Sequence, residues 1–196
     1  MPPPPSPRQG SGGRGARERI LRAAEILFRK HGINATGVAE LAAAAKVSKR
    51  TLYHHFPGKD DVVLAYLREC SDDRDSGPES VLSRSDLSPR ARLLELFVLA
   101  ESQSRPHRGS PFVNAAIEVA DTRHPVHRLA ADLERDFTER LAGIAREAGA
   151  RDPEGVAIRL ALLYNGAAAH AVVTDSTEGG RVAYAMAAAI LNDAID

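Results

Sequence analysis

Residues 37–56, GVAELAAAAKVSKRTLYHHF, restrict what this chain can become more than any other stretch. Val38 to about Ala45 is nearly all Ala and Leu, strong helix formers of small bulk. Ser48 to about Phe56 is a second helical run, with Lys49, Arg50, Thr51, Tyr53, His54 and His55 on its polar positions. Leu52 and Phe56 lie four apart and point inward with Val47. Ser48 caps this second helix, its oxygen accepting from the N–H of Arg50 or Thr51. A small, closely packable helix, a tight turn and a basic, hydroxyl-rich helix make the helix-turn-helix pattern, whose second helix enters the DNA major groove.

The charge distribution agrees. The net charge of the 196 residues is zero, but it is unevenly laid out. Residues 1–56 hold ten Lys/Arg against three Glu, a balance of +7; the other 140 hold 16 basic against 23 acidic residues, −7. A basic end joined to an acidic body is expected of a chain that sets one end on a polyanion.

The flanking sequence is helical throughout. Residues 1–13 are rich in Pro, Gly and Ser and cannot build a core. They read as a disordered tail, with a basic arm using Arg8 and Arg14 on the DNA backbone as the alternative. Ile20, Leu21, Ala24, Leu27 and Phe28 form one apolar stripe of a first helix over 16–31, which Gly32 stops. Thr36 or Gly37 caps helix 2; with Gly37 as cap, Glu40 falls at N3, where the helix dipole favours an acid. After the break at Pro57-Gly58, Lys59, Asp60 and Asp61 open helix 4, which fades into a linker at residues 71–77. Further helices are expected over 89–104, 112–120, 125–148, 153–174 and 181–194, with Asp152 capping and Pro153 at N1 of the fourth of these. No segment alternates with period two for long enough to be a strand. The expectation is an all-α chain of about nine helices.

Several classes are excluded. Cys70 is alone, so there is neither a disulfide framework nor a Cys-based metal site, in keeping with a reducing cytoplasm. No apolar run approaches the ~20 residues of a membrane span, and no apolar leader stands at the N-terminus. Paired carboxylates, a Gly-rich phosphate loop and a nucleophile elbow are all missing, so no enzyme and no cofactor is expected. His124 and His127 share a helix face, but two His without a placed carboxylate or Cys make no metal site.

The run RERILRAAEILFRKHG–INATGVAELAAAAKVSKRTLYHHFPGKDDVVLAYL, about residues 14–74, resembles the N-terminal domain of TetR-type (TetR/AcrR) transcriptional regulators. The landmarks are the Ile-Leu-x-Ala-Ala-x-x-Leu-Phe first helix, the Gly32 stop, Ala35-Thr36 before helix 2, Leu41-Ala42, Val47-Ser48, Thr51-Leu52-Tyr53, His55-Phe56 and Lys59-Asp60. The match covers a third of the chain. Two positions depart from the pattern. Lys46 stands where the family usually has a Gly with φ > 0, at a cost on the order of 1 kcal/mol. Gly37 stands where Thr or Ser is common.

The resemblance implies an N-terminal three-helix helix-turn-helix domain (14–74), linked by helix 4 to a C-terminal helical ligand-binding and dimerisation domain (75–196). It implies a DNA face made of Thr36, Gly37, Ser48, Lys49, Arg50, Thr51, Tyr53, His54, His55 and Lys59. Lys49, Arg50, Thr51 and His54 would face the major groove, Arg50 pairing with guanine and Thr51 meeting a thymine methyl. Thr36, Tyr53, His55 and Lys59 would hold phosphates, aided by the N-terminus of helix 4; for Tyr53 and His55 the alternative is a structural ring at the helix 3–helix 4 corner. The last two helices, with Ala161, Gly166–Ala169, Ala183, Ala187, Ala188, Leu191 and Ile195, would pair with a second copy, the alternative being packing within one subunit. A small-molecule effector would sit among helices 89–174, with Asn114, Glu118, His124, Tyr164, Asn165 and His170 as candidate polar contacts. The implied role is that of a cytoplasmic homodimeric repressor, released from a palindromic DNA operator by its ligand. The alternatives are a redox response through Cys70, or a helical protein that binds nucleic acid without sequence choice.

Overall fold

The computed structural model describes residues 12–102 and 109–195. Residues 1–11 of the Pro-rich tail, with Arg8 of the expected arm, lie outside the described residues. Residues 12–14, expected in the tail and arm, instead open the first helix, which begins four residues before the expected start at 16. Those described form ten helices and no strand. They are α1 (Gly12–His31), α2 (Val38–Ala44), α3 (Lys49–His55), α4 (Lys59–Asp72), α5 (Glu79–Leu82), α6 (Pro89–Ser102), α7 (Pro111–Glu118), α8 (Pro125–Glu147), α9 (Pro153–Thr174) and α10 (Glu178–Ala194). The chain divides into two compact units, one up to Tyr66 and one from Leu67 on, so the division falls inside α4.

In the first unit α1 packs on α2 and α3. Its stripe, Ile20, Leu21, Ala24, Leu27 and Phe28, is buried together with Leu41, Leu52, Phe56, Val62, Val63 and Tyr66. Phe28 and Tyr66 meet edge to face with ring centroids 5.3 Å apart, an arrangement favoured by the ring quadrupoles. The Arg17 guanidinium lies 5.5 Å above the Phe56 ring, closing the bottom of that core with a cation–π contact.

In the second unit α8 packs against α7 and α9, and α10 against α6 and α9. The core is Leu82, Leu93, Leu96, Phe97, Leu141, Ile144, Val156, Leu160 and Leu191, interleaved with small residues such as Ala145, Ala157, Ala183 and Ala187. The small residues bring the helix axes close, and the branched ones fill the grooves between them.

Three further features depart from the sequence-based expectation. The tenth helix, α5, occupies a stretch for which the sequence predicts no element. One turn is too short to show periodicity; it is held by burial of Leu82 and by Arg92 and Arg140, each donating to the Leu82 carbonyl at 3.3 Å. The last helix starts at Glu178, taking in Gly179 and Gly180, whose Gly-Gly signal reads locally as a linker. Gly179 lies against α9, where a Cβ would come within 2.8 Å of His170 Nδ1, so a larger residue there would have to displace the exposed His170 ring. Finally α9, 22 residues with few charges, is long and apolar enough to cross a membrane by length and composition. The expectation that no run comes near that length is corrected. The reason for its apolarity is packing: it buries Val156, Ala157, Leu160, Ala161 and Ala167, with α8 and α10 as its main neighbours.

Candidate nucleic-acid interface

The turn between α2 and α3 is built almost entirely from backbone. At the end of α2, Lys46 N–H donates to the Ala43 carbonyl (3.1 Å) and Val47 N–H to the Ala42 carbonyl (3.0 Å). This is the Schellman arrangement, and its C′ residue must be left-handed. Lys46 adopts φ 54° there, as the departure from Gly at this position led one to expect. The Ala45 carbonyl, otherwise an orphan of the helix end, accepts from Arg19 Nε at 3.2 Å, which ties the turn to α1.

Ser48 then caps α3. Its Oγ accepts from the Thr51 N–H at 3.0 Å and pairs with the Thr51 hydroxyl at 2.8 Å. Burial of Leu52 and Phe56 fixes which side of this two-turn helix faces inward. Lys49, Arg50, Tyr53 and His54 are thereby exposed, while Thr51 and His55 are half-buried. The His54 and His55 rings meet edge to face at 5.3 Å. Neither Lys49 nor Arg50 makes a hydrogen bond or ion pair with any described residue, so both cations are available to an external anion.

The flanks differ from one another. Gly37 is the N-cap of α2, exposed and extended (φ −90°), with no side-chain cap and Glu40 in the first turn. Thr36, expected at a phosphate, is fully buried; its hydroxyl donates to the Gly32 carbonyl at 2.8 Å and locks the α1–α2 turn. Lys59 is half-buried at the start of α4, with Nζ 3.5 Å from the Asn34 carbonyl. Asp61 accepts from the Gly58 N–H at 2.8 Å, and with Asp60 it places two acids on the first turn of α4. These carboxylates offset the positive helix end that was expected to assist phosphate binding.

The candidate effector residues do not form one cluster. Tyr164 meets Phe137 at 5.6 Å and Phe97 at 6.4 Å between ring centroids. Beside it Asn165 Nδ2 donates to Glu134 Oε1 at 2.5 Å. Burial pushes the Glu134 carboxyl above its ordinary range, and the Asn165 bond only partly offsets this. Asn114 and Glu118 are half-buried on α7. His170 belongs elsewhere, in a groove of about 380 Å³ between α9 and α10 that is also lined by Leu162, Gly166, Val182 and Met186. His124 and His127 have local tasks: His124 Nδ1 accepts from the Val126 N–H as the N-cap of α8, and His127 Nδ1 lies 2.7 Å from the Val119 carbonyl. Cys70 is half-buried on α4. Glu134 was not singled out from the sequence, since its position on the long amphipathic helix gives no sign of partial burial.

A three-helix unit that exposes unpaired Lys49 and Arg50 on the second helix of a capped helix-turn-helix is that of a DNA-binding transcriptional regulator. Comparison with known proteins narrows the class. Residues 20–66 match the family of bacterial regulatory proteins described as the tetR family. The chain is similar to the HTH-type transcriptional repressor KstR2 of Rhodococcus jostii, with 32% identity over 157 residues, 78% of this chain and 73% of that protein. It superposes on a TetR-family transcriptional regulator from Streptomyces coelicolor with a TM-score of 0.84 at 27% identity, covering 93% of this chain and 97% of that one. A regulator of the same type from Streptomyces avermitilis gives a TM-score of 0.78 at 32% identity, over 91% and 97% of the two chains. The chain belongs to the tetR family: it is a transcriptional regulator, not an enzyme.

Proposed function

We propose that the protein is a homodimeric repressor of the cytoplasm, which binds a palindromic operator and is released from it by a small-molecule ligand. The observation that carries the reading is the free, basic, exposed face of α3. On this reading Lys49, Arg50, Thr51 and His54 face the major groove, Arg50 donating both ends of its fork to guanine O6 and N7. Tyr53, His55 and Lys59 hold phosphates, with Ser48 and Gly37 at the helix starts beside them. Thr36 serves by fixing the α1–α2 turn.

One helix-turn-helix makes too few contacts to specify a genomic site, so two copies are needed. The outward face of α9 and α10 suits such pairing: Ile158, Leu162, Val173, Val182 and Met186 are all exposed apolar residues on these two helices, whereas Ala161, Ala167, Ala183, Ala187 and Leu191, expected at the pairing face, are buried in the subunit's own core. A two-fold axis through this face would give the operator its inverted repeat. The effector would lie among α6, α8 and α9, with Tyr164 and Asn165 joined by Glu134, and with Asn114 and Glu118 on α7 as further contacts. His170 falls to the pairing face instead. Release follows if the ligand binds more tightly to the conformation that holds DNA less well.

The test is a comparison of Arg50→Ala with Lys59→Ala on operator and base-substituted duplexes. Arg50→Ala is expected to lose about 1–3 kcal/mol of discrimination at particular base pairs. Lys59→Ala is expected to weaken all duplexes alike. Equal affinity of the wild-type chain for operator and scrambled duplex would instead identify nucleic-acid binding without sequence choice.

A further inference from the structure

We infer that Lys46, in the turn between α2 and α3, is a DNA phosphate contact held in place by its left-handed backbone. Its conformation is the first reason. Lys46 and Asp175 are the two non-Gly residues described with positive φ. Asp is among the residues that tolerate this region because its short polar side chain can bond to the local backbone, whereas the long Lys side chain offers no such group. The Schellman geometry at this point asks for Gly, so the turn gains nothing from a lysine side chain.

The second reason is that the side chain has no task within the protein. Lys46 is exposed, and its ammonium makes no hydrogen bond or ion pair with any described residue. The charge is not balanced nearby either. The Arg19 guanidinium is bonded to the adjacent Ala45 carbonyl, while Glu40, on the same helix, lies toward His31 at 4.0 Å. From Leu41 to Phe56 the chain carries Lys46, Lys49 and Arg50 and no acid. An unpaired cation on a residue held at positive φ, two residues before the cap of the DNA-facing helix, fits a polyanion. An unpaired ammonium on a flexible stem suits a phosphate oxygen as a point charge and reads no base.

The inference rests on α3 facing the groove, and the experiment separates the two. Duplex binding by the full chain is titrated against salt, using a duplex selected from a random library and a scrambled one, for wild type, Lys46→Gly, Lys46→Gln and Lys46→Arg, with thermal melting of each. Lys46→Gly is expected to melt no lower than wild type, because Gly suits φ 54°. It is nevertheless expected to bind both duplexes several-fold more weakly, with the slope of log affinity against log salt reduced by about 0.9 per bound chain. Lys46→Gln loses the same slope while keeping the strained backbone, and Lys46→Arg retains it. An unchanged salt slope in Lys46→Gln overturns the inference, as does weakening confined to the selected duplex. A wild-type chain that binds neither duplex overturns the placement of α3 and Lys46 with it.

Discussion

Single residues around the helix-turn-helix divide into those that shape it and those left free. Gly37 caps α2 with no side chain, and a Cβ added there meets nothing within 4 Å. Gly37→Thr is therefore expected to raise stability by up to about 1 kcal/mol, through a cap hydrogen bond and a less flexible unfolded chain; denaturant melting checks it. Thr36 is the opposite case. Thr36→Val leaves the Gly32 carbonyl without its buried donor and is expected to cost about 1–2 kcal/mol in the same measurement. Ser48 and Lys46 were legible in the sequence, because a cap and a missing turn glycine each have a local signature. Thr36 was not, since Thr36 and Gly37 were equal candidates for the cap, and the turn of the Thr36 hydroxyl back to Gly32 depends on how α1 meets α2.

At the level of elements, the long amphipathic helices follow their periodicity and the exceptions are tertiary. The single turn of α5 exists because Leu82 is buried and its carbonyl takes two guanidinium donors. The first turn of α10 is helical although it holds Gly179 and Gly180, and it packs Gly179 against His170 on α9. Neither contact is written in the local residues. The α8–α9 contact also carries a pH signature. The Glu134 carboxyl is raised in the folded state, so its contribution to stability is full below its unfolded value and is lost as pH rises through the folded one. Glu134→Gln keeps an acceptor for Asn165 and removes the buried charge. The stability of the variant relative to wild type is expected to grow between acidic and neutral pH, measured by urea melting at each pH. A constant difference would mean that burial of this charge costs nothing. The carboxyl of Asp73 runs the other way: burial pushes it up, but hydrogen bonds from Ser76, Asp75 and Gly77 outweigh this and hold it below its ordinary range.

Taken whole, the molecule joins a basic N-terminal part to an acidic remainder. On the proposed reading, the exposed apolar face of α9 and α10 pairs two copies of the chain. Leu162, 69% exposed, and Met186, 51% exposed, line the groove there and add little to packing within one chain. Leu162→Glu with Met186→Glu is expected to leave the subunit folded by circular dichroism, to shift sedimentation from dimer to monomer, and to weaken operator binding together with that shift. The α9 stripe of small residues was visible in the sequence, but the side of the helix facing outward was not, because α9 is apolar on nearly every face. The central claim, that the free face of α3 reads duplex DNA as a symmetric pair, is tested most directly by selecting bound DNA from a random library with the full chain. The account predicts enrichment of an inverted repeat whose half-sites are lost in Arg50→Ala. A pool that stays random through the selection, or an enriched site without two-fold symmetry, would contradict it.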